Sequence, residues 1–215
     1  MYLLLLTDGR FPAGGHAHSG GIEAAVMAGR VTGVDTLGVF LAGRLTTTGR
    51  VAAALAAAAC AGVHDLRVLD AEAAARIPSP ALRAASRTQG RQLLRTAWAV
   101  LGPDRLPDGI DELYHPVAMG VVSAATGDVG PVDAARWAAY DALSGPASAA
   151  VRLLGLNPFS AWAVVSALMG DAEEIAIEAA AGAARPPARL PSCSAPLLDI
   201  GAEHHAGSEV RLFAS

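Results

Sequence analysis

The sequence contains no lysine, and all sixteen basic residues among its 215 are arginine. Without lysine the chain cannot form a Schiff base, use a lysine as a general base or hold phosphate with the lysine of a P-loop. It is therefore not itself a P-loop GTPase. Charged residues make up only 17% of the chain and the net charge is -4, so there is no electrostatic reason to expect a nucleic-acid partner.

Cysteine is scarce as well. Cys60 and Cys193 lie far apart, with no CxxC spacing and no disulfide framework, which is typical of a reducing compartment. The longest stretch without a polar side chain, residues 51–63, is shorter than the roughly 18 residues that span a bilayer. The leucines at 3–6 follow no basic stretch, so no signal peptide is expected. We expect a cytoplasmic protein without a membrane segment.

Aromatic residues are few, at 5%, while hydrophobic residues reach 53%, mainly alanine and leucine. Short and unbranched apolar side chains favour close-packed helices over sheets. Helical spacing of apolar residues is found in several segments: 22–28, 36–61, 80–101, 116–124, 132–154 and 158–169. Ser79-Pro80 and Asn157-Pro158 each supply a capping residue followed by proline, which marks a helix start. The sequence predicts an all-α fold, a single-domain helical bundle over residues 1–184.

Two details of the bundle are predicted from its later helices. Pro146 should kink or divide the helix that contains it, since proline lacks a backbone N–H. Phe159, Trp162, Val165 and Met169 share one helical face, which predicts that they pack into the core.

From Arg185 onward the composition becomes rich in proline. A helix cannot continue through this density of proline, so residues 185–215 are predicted to form an extended C-terminal tail. The tail ends in an apolar segment with one arginine, residues 210–215, which is suited to docking on a partner.

Histidines supply the only candidate metal ligands, and they are weak candidates. His16 and His18 alternate in a glycine-rich loop near Glu23, and two imidazoles with this spacing can bind a transition metal. His204 and His205 are adjacent, and on an extended chain they would point to opposite faces. Structural hydrogen bonding is the alternative interpretation for these side chains. No catalytic or cofactor-binding residue is predicted, because no nucleophile elbow precedes or surrounds Ser19.

Four arginines recur every fourth residue along one predicted helix and form a basic ridge: Arg83, Arg87, Arg91 and Arg95. Such a ridge is usually a solvated face. The alternative is an interface that recognises carboxylates on a partner.

Three separated segments together resemble one family. The first is Leu4-Leu5-Leu6 followed by residues 12–23, PAGGHAHSGGIE. The second is residues 149–153, AAVRL, and the third runs from residues 196–200, PLLDI, through His205 to residues 211–215, RLFAS. Their order and distances are similar to those of the urease accessory protein family UreF.

The resemblance implies an all-helical, non-catalytic homodimer that assembles with the partner UreD or UreH, the GTPase UreG and apo-urease. In such a complex the chain helps to deliver nickel and modulates the GTPase, while binding no cofactor stably itself. The family's C-terminal tail becomes ordered on UreD or UreH. A nickel-binding metallochaperone that uses the loop or tail histidines is the alternative function, and a small helical hydrolase is disfavoured because no catalytic constellation is found.

The resemblance also implies roles for particular residues. It implies that Gly14, Ser19, Gly21 and Glu23 shape the N-terminal element and that Arg152 and Leu153 lie in the later bundle. The tail is expected to be anchored by His205, Arg211, Leu212, Phe213 and Ser215. All of these are expected to be partner-binding residues. The chain departs from the family pattern at His16 and His18, where aromatic residues are common, and after Leu153, where relatives often carry a glycine-glutamine stretch.

Overall fold

The computed structural model describes residues 2–8, 11–209 and 211–214, without the side chain of Pro103. Over these residues the regular structure is helical, and no strand is found. In chain order the helices are α1 (Tyr2–Leu6), α2 (Ile22–Met27), α3 (Val34–Arg44), α4 (Arg50–Ala61), α5 (Leu66–Ala75), α6 (Pro80–Leu101), α7 (His115–Thr126), α8 (Pro131–Leu154), α9 (Pro158–Ala167), α10 (Met169–Ala181) and α11 (Pro196–Ala206). The all-α prediction is confirmed.

Helix α4 lies at the centre of the bundle and contacts α7, α8 and α10. Most of its buried residues are alanine, and their short side chains let neighbouring backbones approach closely. A Cβ atom on Gly120 of α7 would lie only 2.2 Å from the carbonyl oxygen of Ala56. The helices share one hydrophobic core, and the glycine–alanine contact seats α7 against its centre.

The predicted helix starts are confirmed where a cap precedes proline. The Ser79 hydroxyl accepts from the N–H of Leu82 at 3.1 Å, and the Asn157 side chain accepts from the N–H of Phe159 at 2.9 Å. Asp65 caps α5 in the same way, accepting from Arg67 at 2.7 Å. Helix α5 is an element that the sequence analysis did not predict.

The helix predicted over residues 36–61 forms as α3 and α4, joined without a break by a π-helical turn at Leu45–Gly49. The hydroxyls of Thr46 and Thr47 donate back to the carbonyls of Ala42 and Gly43, at 2.9 and 2.7 Å. These hydroxyls compete with backbone N–H groups for the carbonyls of the helix. A π-helical turn contains one residue more than an α-helical turn, so the helix can continue through this stretch.

Pro146 does not divide its helix, because α8 runs unbroken from Pro131 to Leu154. The prediction of a division is therefore wrong. No helix in the described part of the chain is both long and apolar enough to cross a membrane.

The prediction of an extended tail is wrong for residues 196–206, which form helix α11. Pro196 stands in the first turn of α11, where the missing N–H has no helical partner to lose. A 3-10 turn at Pro187–Arg189 precedes it. Proline interrupts the helical pattern after α10, as expected, but it also starts the next helix.

The prediction that Phe159, Trp162, Val165 and Met169 pack into the core is wrong for three of these four residues, of which Met169 begins α10 rather than belonging to α9. Val165 is buried, but Phe159 is 86% exposed, and Trp162 and Met169 are 41% and 42% exposed. Helix α9 is apolar around its whole circumference, so helical spacing alone could not identify the buried side. The larger apolar side chains of α9 face solvent.

Candidate functional site

Glu23, in the first turn of α2, is the centre of a junction between the two ends of the chain. Its Oε1 accepts from the N–H of Leu212 at 2.7 Å, and its Oε2 accepts from the N–H of Phe213 at 3.1 Å. The Nε2 of His205 donates to the same Oε2 at 2.7 Å. Both side chains are at most 5% exposed. A carboxylate only accepts hydrogen bonds. Here one carboxylate accepts from three donors of the C-terminal segment, a name used for residues 187–209 and 211–214.

The loop before α2 aims Glu23 at this segment. The buried Ser19 accepts from the N–H of Glu23 through its hydroxyl at 3.4 Å, which satisfies a free donor in the first helical turn. Gly20 and Gly21 have φ angles of +62° and +88°, a region that favours glycine. A Cβ on Gly20 would lie 2.8 Å from Cγ of Pro146, so the loop rests directly on α8.

Phe213 is the buried anchor of the C-terminal segment, at 6% exposure. The guanidinium carbon of Arg152 lies 4.4 Å from the centroid of its ring, within the range of a cation–π contact. Arg152 also donates to the carbonyl of His16 at 3.4 Å, and the N–H of Ala214 donates to the carbonyl of Ala17 at 2.7 Å. Arg152 thereby links the end of α8 to both chain ends.

Helix α11 connects the junction to α6. Its Glu203 accepts from the N–H of Ala81 at 3.0 Å and forms a short hydrogen bond with the Ser79 hydroxyl. The bond from Ser79, followed by that from Ala81, holds the pKa of Glu203 below its usual value. Asp199 accepts from the N–H of Ser79 at 3.4 Å. The sequence predicted the Ser79 cap but contained no signal for its partners on α11.

Arg76 anchors the start of the C-terminal segment and is also absent from the sequence predictions. Its guanidinium donates to the carbonyls of Pro191 at 2.9 Å and of Pro187 and Leu190, each at 3.1 Å. The side chain is only 5% exposed and forms an ion pair with Glu72. The basic residue that binds this segment therefore lies just after α5, outside the arginine ridge.

Comparison with known proteins identifies the family. The UreF family model matches residues 31–169. Urease accessory protein UreF of Mycobacterium sp. (strain JLS) is 43% identical over 221 residues, covering 99% of this chain and 97% of that protein. The proteins of the same name from Mycolicibacterium vanbaalenii and Mycobacterium marinum are 43% and 42% identical, with the same coverage. The chain belongs to the UreF family.

The range matched by the UreF family model leaves out both chain ends, residues 1–30 and 170–215. Those ends supply Glu23, His205 and Phe213 to the junction. The full-length similarity to the relatives extends over both ends, since it covers 99% of this chain. The junction is therefore built from segments that align with the relatives but lie outside the range that the family model matches.

The remaining predicted residues are not all brought to Glu23. Gly14 lies against α6, where its added Cβ would be 3.0 Å from Cγ of Gln92. Leu153 packs against the hydrophobic core. Arg211 is exposed and Leu212 is 75% exposed. Ser215 lies outside the described residues.

The four candidate metal ligands do not share one place. His16 and His204 are exposed, His205 binds Glu23, and His18 lines a cavity between the loop and α8. The expectation that His204 and His205 lie on an extended chain is wrong, because both are in α11. Over residues 2–8, 11–209 and 211–214, no three histidine, cysteine or acidic side chains are grouped as metal ligands.

The arginine ridge is mostly used within the chain. Arg83 donates to the carbonyls of Ile77 and Pro78 at 2.7 and 2.8 Å. Arg87 forms an ion pair with Asp70 at 2.7 Å and lies 3.8 Å from the centroid of the Tyr114 ring. Arg87 holds α6 against α5 and the residue before α7, and Arg83 fixes the turn that precedes α6; neither sequence interpretation included these uses.

Proposed function

We propose that the chain is a non-catalytic urease maturation factor that acts in the cytoplasm by binding other proteins. Membership of the UreF family and the name of its relatives, urease accessory protein, support the link to urease. In this proposal the chain bridges the UreD or UreH partner and the GTPase UreG for nickel delivery to apo-urease. The lack of lysine means that any P-loop GTPase in this assembly is a separate protein.

The junction around Glu23 is proposed as the surface that the UreD or UreH partner recognises. The observation that carries this proposal is the arrangement of two neighbouring residues. Phe213 is buried and its N–H is held by Glu23, whereas Leu212 is held by the same carboxylate but leaves its side chain 75% exposed. An apolar side chain on an anchored backbone is suited to insertion into a partner's pocket.

The seat of the segment is not tightly filled, which supports a rearrangement on binding. A cavity of about 280 Å³ lies between the loop, α6 and the C-terminal segment, and Arg211 and His205 line it. A terminal segment that is held mainly by a few hydrogen bonds opens at a lower free energy than the core helices. The partner can therefore bind the segment in its present position, or bind it after the segment has left that position.

A pull-down with the UreD or UreH partner tests this surface. Deletion of residues 211–215 is expected to abolish recovery of the partner. Leu212→Asp should do the same without lowering Tm, because its side chain is exposed and only its backbone supports the seat. Val100→Asp is the matched control, an exposed apolar residue on α6, and should leave recovery unchanged. Undiminished recovery with both the deletion and Leu212→Asp contradicts the docking role.

The exposed face of α9 is proposed as the contact between two copies of the chain. Its larger residues, Phe159 and Trp162, occupy the N-terminal half, while the exposed positions of the C-terminal half and just beyond it are mostly small: Ala163, Ser166, Ala167 and Gly170. In an antiparallel pair related by a two-fold axis, the large residues of one copy meet the small residues of the other. Met169, 42% exposed, borders this face.

Light scattering after size-exclusion chromatography tests the proposed dimer. The unmodified chain is expected to be a dimer, and Phe159→Glu is expected to be a monomer with an unchanged helical circular dichroism spectrum. Val63→Glu places the same charge at another exposed apolar position and should leave the dimer intact. A Phe159→Glu variant that remains dimeric contradicts this assignment of the interface.

The role of the chain towards nickel and GTP follows from the same proposal. The purified chain is expected to hydrolyse no GTP and to alter hydrolysis only when UreG is present. The alternative metallochaperone requires direct nickel binding. Calorimetry with nickel distinguishes the two functions: a stoichiometric site that is lost on His16→Ala, His18→Ala or His204→Ala favours the metallochaperone, whereas binding no tighter than about millimolar excludes it.

A further inference from the structure

A cavity of about 190 Å³ lies beneath the loop, separate from the junction around Glu23. Its walls come from the loop, the π-helical turn, α4, α6, α7, α8 and the segment before α11. At about 30 Å³ for each water molecule, this volume corresponds to roughly six waters or one small solute. Most of the wall is apolar, but ionisable side chains also line it: His18, Arg44, Arg76, His115, Asp141, Cys193 and Asp199. Arg76 and Asp199 already bind other parts of the chain.

Arg44 directs an incompletely used guanidinium into this cavity. Its Nε donates to the carbonyl of Ala142 at 3.1 Å. Among the residues that the structure describes, its two terminal nitrogens have no hydrogen-bond or ion-pair partner. An added Cβ on Gly20 would lie 3.4 Å from Nη2 of Arg44, so the loop covers the guanidinium. Arginine remains protonated in proteins, and Arg44 is only partly buried, so its terminal N–H groups are available to an acceptor that enters the cavity.

Asp141 lines the same cavity without pairing with Arg44. Within the described part of the chain, its carboxylate accepts no hydrogen bond, and the two groups interact only at longer range. Burial is the main cause that lowers the pKa of His115. The negative charge of Asp141 raises this pKa, and the positive charge of Arg44 lowers it further. The terminal nitrogens of Arg44 and the carboxylate of Asp141 therefore face the cavity without a hydrogen-bond partner among the described residues.

We propose that this cavity binds a small oxyanion that retains a hydroxyl group, of the kind exemplified by monobasic phosphate. The acceptor oxygens take the terminal N–H groups of Arg44, which form the planar fork that suits oxyanions. The hydroxyl donates to the carboxylate of Asp141. This arrangement satisfies both charged groups at once, which a simple carboxylate or a halide does not.

Binding in this cavity is coupled to the chain ends. The walls include Gly20 and His18 of the loop, and Cys193, Ser194 and Asp199 of the C-terminal segment. A ligand enclosed by these residues binds best when both ends are seated, and by linkage it stabilises the seated state. This inference concerns the chain alone and does not rest on the proposed function, because it requires no partner.

Thermal unfolding with sodium phosphate near pH 6.5 tests the proposal, with sodium acetate and sodium chloride compared at equal ionic strength. Phosphate is expected to raise Tm saturably, by about 5 °C or more well above its Kd, while acetate produces a smaller rise and chloride none. Phosphate should also slow proteolysis of the C-terminal segment. Equal effects of phosphate and chloride overturn the proposal.

Two variants localise the effect. Arg44→Gln should abolish the phosphate-dependent rise in Tm, whereas Arg95→Gln, which removes the same charge from an exposed position on α6, should retain it. Ala52→Leu keeps Arg44 but fills part of the cavity from α4. In this variant the phosphate concentration needed for a half-maximal rise in Tm should increase at least tenfold. A full response in Ala52→Leu, or in a folded Arg44→Gln variant, places the anion elsewhere and overturns the proposal.

Discussion

Glu23 and His205 lie 182 positions apart in the sequence, and their side chains meet at 2.7 Å in the interior. The contact joins the first turn of α2 to the last turn of α11. It is surrounded by further donors, since the N–H groups of Leu212 and Phe213 use the same carboxylate. A single buried carboxylate therefore holds three donors from the last residues of the chain.

Glu23→Gln is expected to release the C-terminal segment while leaving the bundle folded. The amide keeps the size of the side chain but replaces one acceptor oxygen by a donor, which leaves a buried N–H without a partner. Loss of such a partner costs about 1–3 kcal/mol. Amide exchange at Leu212 and Phe213 should become faster by about tenfold or more, as measured by hydrogen exchange and nuclear magnetic resonance.

Glu209→Gln is the control for this prediction, because Glu209 is exposed and near the same segment. Its exchange pattern should match that of the unmodified chain. Equal protection of Leu212 and Phe213 in the Glu23→Gln variant contradicts the central role of this carboxylate.

Arg76→Gln is expected to destabilise the whole chain. The guanidinium is buried and donates to three carbonyls of the segment after α10, besides pairing with Glu72. Removing it leaves Glu72 without its partner, a change that costs about 3 kcal/mol or more when the pair is buried. The midpoint of urea unfolding measures the effect. Arg67→Gln, at an exposed position on α5, should change stability by less than about 0.5 kcal/mol.

Local signals in the sequence were sufficient for most helix starts. The Ser79-Pro80 and Asn157-Pro158 pairs act within three residues of themselves, and their capping bonds form as predicted. Helix α5 was missed because its apolar residues are interrupted by charge, and because Asp65 stands without a following proline. The N-terminal loop and the C-terminal segment were singled out through the family resemblance, and their contact appears only in the structure.

Long-range contacts were not predictable from one sequence. Nothing near Arg76 indicates that it binds carbonyls more than a hundred residues later, and nothing near Glu203 indicates Ser79. Helix α9 shows a related limit: it is apolar on every side, so periodicity cannot decide which face is buried. The extended tail was a wrong prediction because proline was interpreted only as a helix breaker, although Pro196 starts α11.

Gly120→Ala is expected to disrupt the packing of α7 on α4. The new methyl carbon would lie 2.2 Å from the carbonyl oxygen of Ala56 and 2.6 Å from Cβ of Ala59, so the helices must separate. Overpacking of this kind costs about 1–3 kcal/mol or more, which lowers Tm by about 2–4 °C for each kcal/mol in a chain of this size.

Gly43→Ala provides the comparison for Gly120→Ala. Gly43 lies in α3, and an added Cβ there would meet no atom within 4 Å. Alanine is favoured over glycine inside a helix by about 0.5–1 kcal/mol, so this variant should raise Tm slightly. A Gly120→Ala variant as stable as Gly43→Ala contradicts the close approach of α7 and α4.

The contact between Glu203 and the start of α6 is expected to depend on pH. Hydrogen bonds from Ser79 and Ala81 lower the pKa of Glu203 in the folded chain. A lowered folded pKa means that the contribution to stability is present above the unfolded value of about 4.3 and is lost as the pH falls through the folded pKa. The pair Glu203–Ser79 therefore stabilises the chain at neutral pH and loses this effect in acid.

Glu203→Gln isolates this contribution. At pH 7 the variant should unfold at a lower temperature than the unmodified chain, because an uncharged amide is a weaker acceptor at the start of a helix. The difference in Tm should shrink as the pH falls below the unfolded value of about 4.3 and through the lowered folded pKa, since the carboxyl group is neutral in both states only below the folded pKa. Glu174→Gln, at an exposed position on α10, should show a small difference that changes little with pH. A Glu203→Gln difference that is equally large in acid shows that shape rather than charge determines the contact.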